Sequence, residues 1–198
     1  RIGPIFTPPS LEGTVMRPSI IGGANWGGGA LDPGTGMLYV KSSNMPSLVK
    51  VKEAAPEVGA AYVMGDGDAS LRQGIPLTKP PYAHLTAIDL NQGEIAWRVP
   101  FGDNPSLRRR PALAGVKLPE RLGASGALGA IVTKGGLIFA GGGSTFYAID
   151  ASNGSELWTF DLGRQATATP MTYQAVGRQF VVIASGTRGD ATLTAFAF

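Results

Sequence analysis

The segment Gly65-Asp66-Gly67-Asp68 sets two carboxylates into a glycine-rich stretch, and an aspartate-glycine loop of this kind can wrap calcium with oxygen ligands. The full calcium-loop pattern with its closing glutamate is missing, so an exposed turn is the competing reading. His84 is the only histidine. No Ser-His-Asp or Cys-His arrangement assembles around it, and a structural histidine at a strand start is expected. Arg108-Arg109-Arg110, followed by Pro111, can meet a phosphate or an anionic lipid head group. No aromatics interleave with the cluster, so a solvated loop is expected and nucleic-acid binding has no support. There is no cysteine, which excludes a disulfide framework and a thiolate metal site.

The elements that must position such residues are legible in the spacing of apolar runs. The 198 residues are 43% apolar, enough for a sizeable core, with 29 glycines, 15 prolines and a net charge of only +3. Glycines lie between apolar, β-branched runs, as turns do in an all-β protein. No apolar run is long enough to span a membrane. An exported parent would carry its signal upstream of Arg1.

Two segments share one register. Leu85-Thr86-Ala87-Ile88-Asp89-Leu90-Asn91-Gln92-Gly93-Glu94-Ile95-Ala96-Trp97 and Phe146-Tyr147-Ala148-Ile149-Asp150-Ala151-Ser152-Asn153-Gly154-Ser155-Glu156-Leu157-Trp158 both read Ala-x-Asp-x-x-x-Gly-x-x-x-Trp. Each predicts a hairpin: a strand ending at Asp, a turn closed by a glycine that tolerates positive φ, and a second strand running to Trp. Leu193-Thr194-Ala195-Phe196-Ala197-Phe198 aligns with the start of the same unit. Working outward gives four antiparallel strands per unit, and units of this kind repeating in sequence are propeller blades. The expected blades cover about 22–100, 126–161 and 168–198, the last with three strands. The first carries a long insertion over 43–82, and 102–125 forms a second long loop. Residues 1–21 are extended and proline-broken, with part expected as the last strand of a preceding blade. Trp97 and Trp158 are expected at equivalent positions, both largely buried.

These residues carry a resemblance. The repeated element resembles the tryptophan-docking motif of the quinoprotein dehydrogenases, whose fold is an eight-bladed propeller with pyrroloquinoline quinone (PQQ) near the axis. Phe6–Thr14, Gly22-Gly23-Ala24-Asn25-Trp26-Gly27-Gly28, Ala168–Tyr173 and Gly177–Ala184 are similar to the membrane glucose dehydrogenase branch. The likeness covers nearly the whole chain, weakest in 43–82 and 102–122. It implies about three blades from the C-terminal part of such a propeller. It implies PQQ as cofactor, with Asn25 and Trp26 facing it; a purely structural alternative has Trp26 packed between blades and Asn25 capping a turn. Glycines 27–29 would let backbone approach a flat ligand, or ease blade packing. Leu128 stands near a position where some alcohol-oxidising relatives carry tryptophan, which implies the sugar-oxidising branch. The family's calcium ligands and catalytic aspartate lie upstream of the matched region, so no catalytic or metal-binding residue is assigned here.

The function implied is oxidation of a sugar or polyol hydroxyl with electron transfer to a quinone-type acceptor, in a periplasmic parent, this chain being inactive alone. The alternative is a non-enzymatic propeller scaffold that keeps the repeats. The open edge at 191–198, with apolar Leu193, Phe196 and Phe198, is expected to meet the remaining blades or another copy.

Overall fold

The computed structural model describes residues 1–198 apart from Asp68, Ala127, Arg188 and Phe198 and the side chain of Arg72. Alternating apolar and polar residues between glycine turns give short strands: β1 (Thr14–Met16), β2 (Gly29–Asp32), β3 (Met37–Ser43), β4 (Ser47–Glu53), β5 (Tyr62–Gly65), β6 (Ala83–Asp89) and β7 (Glu94–Pro100). There follow β8 (Ala130–Val132), β9 (Leu137–Gly142), β10 (Thr145–Asp150), β11 (Glu156–Asp161), β12 (Met171–Ala175), β13 (Arg178–Ser185) and β14 (Thr192–Ala197). They form antiparallel sheets in the orders β2-β3-β6-β7, β8-β9-β10-β11 and β12-β13-β14. These are blades of a β-propeller, with β2 lying beside β8 at the inner edge.

The remaining sheet, β1-β4-β5, is a pairing that the sequence does not suggest. Thr14–Met16 pairs with Ser47–Val49 of the insertion. The insertion thus has a hairpin of its own, β4 against β5, which its prolines disguise in the sequence.

The two matched hairpins have the same geometry. Ala87 faces Trp97 and Ala148 faces Trp158, and both ladders shift register immediately after the alanine. Asp89 and Asp150 each accept a hydrogen bond from the backbone N–H two residues on, at 2.8 Å. Gly93 and Gly154 close the turns at φ 73° and 79°. The repeated residues are therefore the ones the bend itself requires: a small residue opposite the indole, a turn-capping carboxylate and a glycine.

Trp97 links the first two blades. Its Nε1 donates to Ala151 O at 3.0 Å, and a Cβ on Gly154 would lie 2.9 Å from its ring. A Cβ on Gly93 would meet nothing within 4 Å. Gly154→Ala is therefore expected to cost about 1–3 kcal/mol more than Gly93→Ala, because both strain φ but only the first also collides with the indole. Urea midpoints of the two variants measure this, and equal losses would show that the indole does not rest on that turn. Trp158 departs from expectation: it is 39% exposed. It packs on Phe160 and Phe196 at the outer side of its blade, with ring centroids at 6.0 and 5.2 Å.

The core lies between blades. Tyr39, Leu85 and Ala87 of the first blade pack on Ile138, Ala140, Tyr147 and Ile149 of the second. The alternate residues Phe139, Phe146 and Ala148 pack on Val181 and Ile183 of the third. Strands β9 and β10 of the middle blade are thus buried on both faces, with period-two alternation dividing their side chains between the two interfaces. Up-and-down connectivity sends the turns after β2, β6, β8, β10 and β12 to one end. The long segments 22–28, 44–82, 101–129 and 162–170 collect at the other, which is the upper end.

Candidate functional site

Three upper-end segments from three blades meet at the inner edge. Gly129 lies so close to Gly27 that a Cβ on it would stand 1.9 Å from Gly27 O. Thr169 Oγ1 accepts from Gly129 N at 3.1 Å and donates to Gly27 O at 3.2 Å. Only glycine permits this backbone contact, and the threonine hydroxyl locks the third segment onto it.

The 22–28 loop is shaped by its own sequence. Gly22 and Gly28 take φ 80° and 75°. Gly28 N donates to Asn25 O at 3.0 Å. Asn25 Oδ1 accepts from Trp26 N at 2.7 Å, and Asn25 Nδ2 donates to Ile21 O. Asn25 therefore caps its own turn and keeps a second amide hydrogen. Trp26 is 94% exposed and does not pack between blades.

Trp26, Gly27, Gly126, Leu128 and the segment from Gln165 to Thr169 line a cavity of 410 Å³. That volume suits a small planar ligand, with one indole face and glycine backbone as its walls. A polar cavity of 540 Å³ adjoins it through Gln165, lined among others by Asp103, Asn104, Ser125, Ser144 and Asp161. Of the expected cofactor-facing pair, Trp26 lines the inner cavity while Asn25 sits one residue away in the loop that presents it.

Sequence reading overlooked Lys41. It is 3% exposed, and its Nζ donates to Gly126 O at 3.2 Å. Burial lowers its ammonium to about 8. Two residues further along the same face of β3, Ser43 Oγ is buried and has no hydrogen-bond partner among the described residues. The signal was in Tyr39-Val40-Lys41-Ser42-Ser43: alternation puts Tyr39, Lys41 and Ser43 on the inward face, where lysine does not ordinarily belong.

The arginine cluster is less free than expected. Arg108 makes a two-pronged contact with Asp103 at 2.6 and 2.9 Å and also donates to Pro119 O and Glu120 O. Burial pushes the Asp103 carboxyl up, but Arg108 and the Leu122 N–H outweigh it and the net direction is down. Arg110 donates to Gln73 O, tying the insertion to the 101–129 loop. His84 lies in β6 across from Ser42 and Pro100. Burial, then the charges of Arg98 and Arg17, lower its imidazole. Asp66 is exposed, and Asp68 lies outside the described residues. Among the described residues no three His, Cys, Asp or Glu side chains come together.

An all-β propeller with a glycine-walled cavity at its inner edge defines the class of protein. Residues 1–181 match the family described as PQQ: glucose/ethanol/alcohol dehydrogenase, beta-propeller domain, and the chain belongs to this family. The family's cofactor is PQQ. The chain is 29% identical, over 94% of its length, to a quinate/shikimate dehydrogenase (quinone) from Acinetobacter baylyi, covering 26% of it. It is likewise 29% identical over 94% of its length to the quinoprotein glucose dehydrogenase of Escherichia coli, again covering 26%. The chain thus spans about a quarter of the curated relatives it matches. Its fold superposes on the quinohemoprotein alcohol dehydrogenase from Comamonas testosteroni with a TM-score of 0.62 at 21% identity, over 92% of this chain and 27% of that one.

Proposed function

We propose that this chain builds one side of the PQQ pocket in a longer dehydrogenase that oxidises a sugar or polyol hydroxyl and passes the electrons to a quinone-type acceptor. The observation that carries the reading is the junction of Gly27, Gly129 and Thr169 beside the exposed Trp26. A planar ligand can lie against the indole with polypeptide backbone at its edge. When bound, PQQ supplies the two-electron acceptor. The chain's own residues bind, orient and shield: Trp26 offers a ring face, Asn25 a spare amide hydrogen, and Leu128 an apolar wall that limits water. The adjoining polar cavity, with Asn104, Ser125 and Gln165 among its lining, offers donors and acceptors of the kind that hydroxyl-rich molecules require.

The metal ligands and the base belong to the rest of the parent, so the chain alone is inactive in this reading. The Trp97 contact with Ala151 and Gly154 acts as the docking element that sets neighbouring blades in an eight-bladed ring. The edge of β14, where Leu193 is 74% exposed, receives a strand from the remaining propeller or from another copy; Phe198 of that edge lies outside the described residues. The parent works in the periplasm, with its export or membrane anchor supplied upstream. Reconstituting the full-length protein with PQQ and calcium, and following dye reduction with glucose, glycerol and quinate, tests the proposal. Turnover with a sugar or polyol supports it. No PQQ-dependent reduction with any of these would overturn it.

A further inference from the structure

We propose that Lys41 is the positioning cation of the quinone pocket: from behind the Gly126 wall it fixes that wall and draws a carboxylate-bearing ligand toward it. This rests on the reading that the cavity beside Trp26 takes PQQ, a planar tricarboxylate. Three observations support it.

The first is placement. Lys41 lies on the inward face of β3 between the first two blades, and its Nζ reaches Gly126, which lines the cavity. Gly126 has no side chain, and a Cβ built there would already be 3.7 Å from the ammonium. Only thin backbone therefore separates the charge from the cavity. A positive charge just behind a wall of low polarity is weakly screened and acts on what binds in front of it.

The second is how poorly the cation is satisfied. An ammonium has three hydrogens to donate. Among the described residues the structure gives Lys41 one hydrogen bond, to a backbone carbonyl, and no carboxylate contributes to its displaced titration. Ser43 Oγ, buried on the same face of the strand, also lacks a partner. A side chain placed there for packing alone would be apolar, since burying an unpaired charge opposes folding. The third observation is that the Gly126 contact spans 85 residues of chain. It thereby ties the first blade to the segment leading into the second, the same segment that meets Gly27 and Thr169 through Gly129.

A residue that only supports the fold and one that serves the ligand give opposite results on replacement by an apolar side chain of similar length. Lys41→Met in the full-length protein is expected to leave the thermal midpoint without PQQ unchanged or to raise it, because the buried charge is gone. The dissociation constant for PQQ, read by quenching of tryptophan fluorescence or by the quinone's absorbance, is expected to rise about tenfold or more. Lys41→Gln, an uncharged amide donor one bond shorter, is expected to recover little of that loss. A Met variant that binds PQQ like the wild type overturns the proposal. So does a lowered midpoint with unchanged affinity, which would mark the lysine as structural. Full recovery by Gln would assign the effect to the hydrogen bond and overturn the role of the charge. If the wild-type protein itself binds no PQQ, the pocket reading and this inference fall together, whereas tight wild-type binding with an indifferent Met variant removes only the inference.

Discussion

Phe146→Ala is expected to lower the free energy of unfolding by about 3–5 kcal/mol, the range for deleting a buried aromatic ring. Phe146 is 0% exposed and stands at the centre of the interface between the second and third blades. Its ring meets Phe139, Phe196 and Trp158 at centroid distances of 6.0, 5.4 and 6.3 Å. The neighbours are held by strand ladders on both sides, β10 between β9 and β11 and β13 beside β14, so they cannot easily close over the void. Ile2→Ala, at a position 83% exposed, serves as the control and should change stability by less than about 0.5 kcal/mol. Denaturant unfolding of both variants measures the difference. A Phe146→Ala loss below about 1 kcal/mol would mean that the two blades do not share the interface described.

The legibility of this fold in its sequence follows the same division between local and distant causes. The hairpins at 83–100 and 145–161 could be read because Asp, Gly and the alanine opposite Trp are each demanded by the turn they sit in. Their strands begin and end within a residue or two of expectation. The pairing of Thr14–Met16 with Ser47–Val49 could not be read, because a three-residue strand has too little pattern to name its partner. Trp158 was expected to be buried because it shares the repeat register of Trp97, but Trp97 has Ala151 and Gly154 of the next blade to rest on. A tryptophan's burial depends on the next blade, and no property of its own hairpin reports that. Arg108 read as solvated because its anchors, Asp103 and the carbonyls of Pro119 and Glu120, are spread over a loop with no periodicity. At the candidate site the Gly-Gly-x-Asn-Trp stretch stood out, whereas Lys41 was hidden in a short strand that looked ordinary apart from one charge. Thr169 lay within a segment singled out by resemblance, yet its bridge to Gly27 spans 142 residues and only the fold brings the two together.

Asn25→Ala is expected to weaken PQQ binding by the full-length protein about ten- to hundredfold, the equivalent of losing a hydrogen bond to a charged group at ~1.5–3 kcal/mol. Two effects act in the same direction. Asn25 Oδ1 accepts from Trp26 N at 2.7 Å and so fixes the backbone that carries the indole. The amide nitrogen donates to Ile21 O and retains one hydrogen for a quinone or carboxylate oxygen. Alanine removes both, so it cannot say which matters. Asn25→Asp separates them, because it keeps an acceptor for Trp26 N while replacing both amide hydrogens with negative charge. If the amide faces the ligand, the aspartate variant should bind PQQ at least as poorly as alanine, since a carboxylate repels another. If accepting from Trp26 N is what Asn25 does for the ligand, the aspartate variant should bind better than the alanine variant. Equilibrium titration with PQQ, with unfolding midpoints to verify that each variant is folded, decides between these. Unchanged affinity in both variants would remove Asn25 from the pocket altogether and leave Trp26, Gly27 and Thr169 to define it.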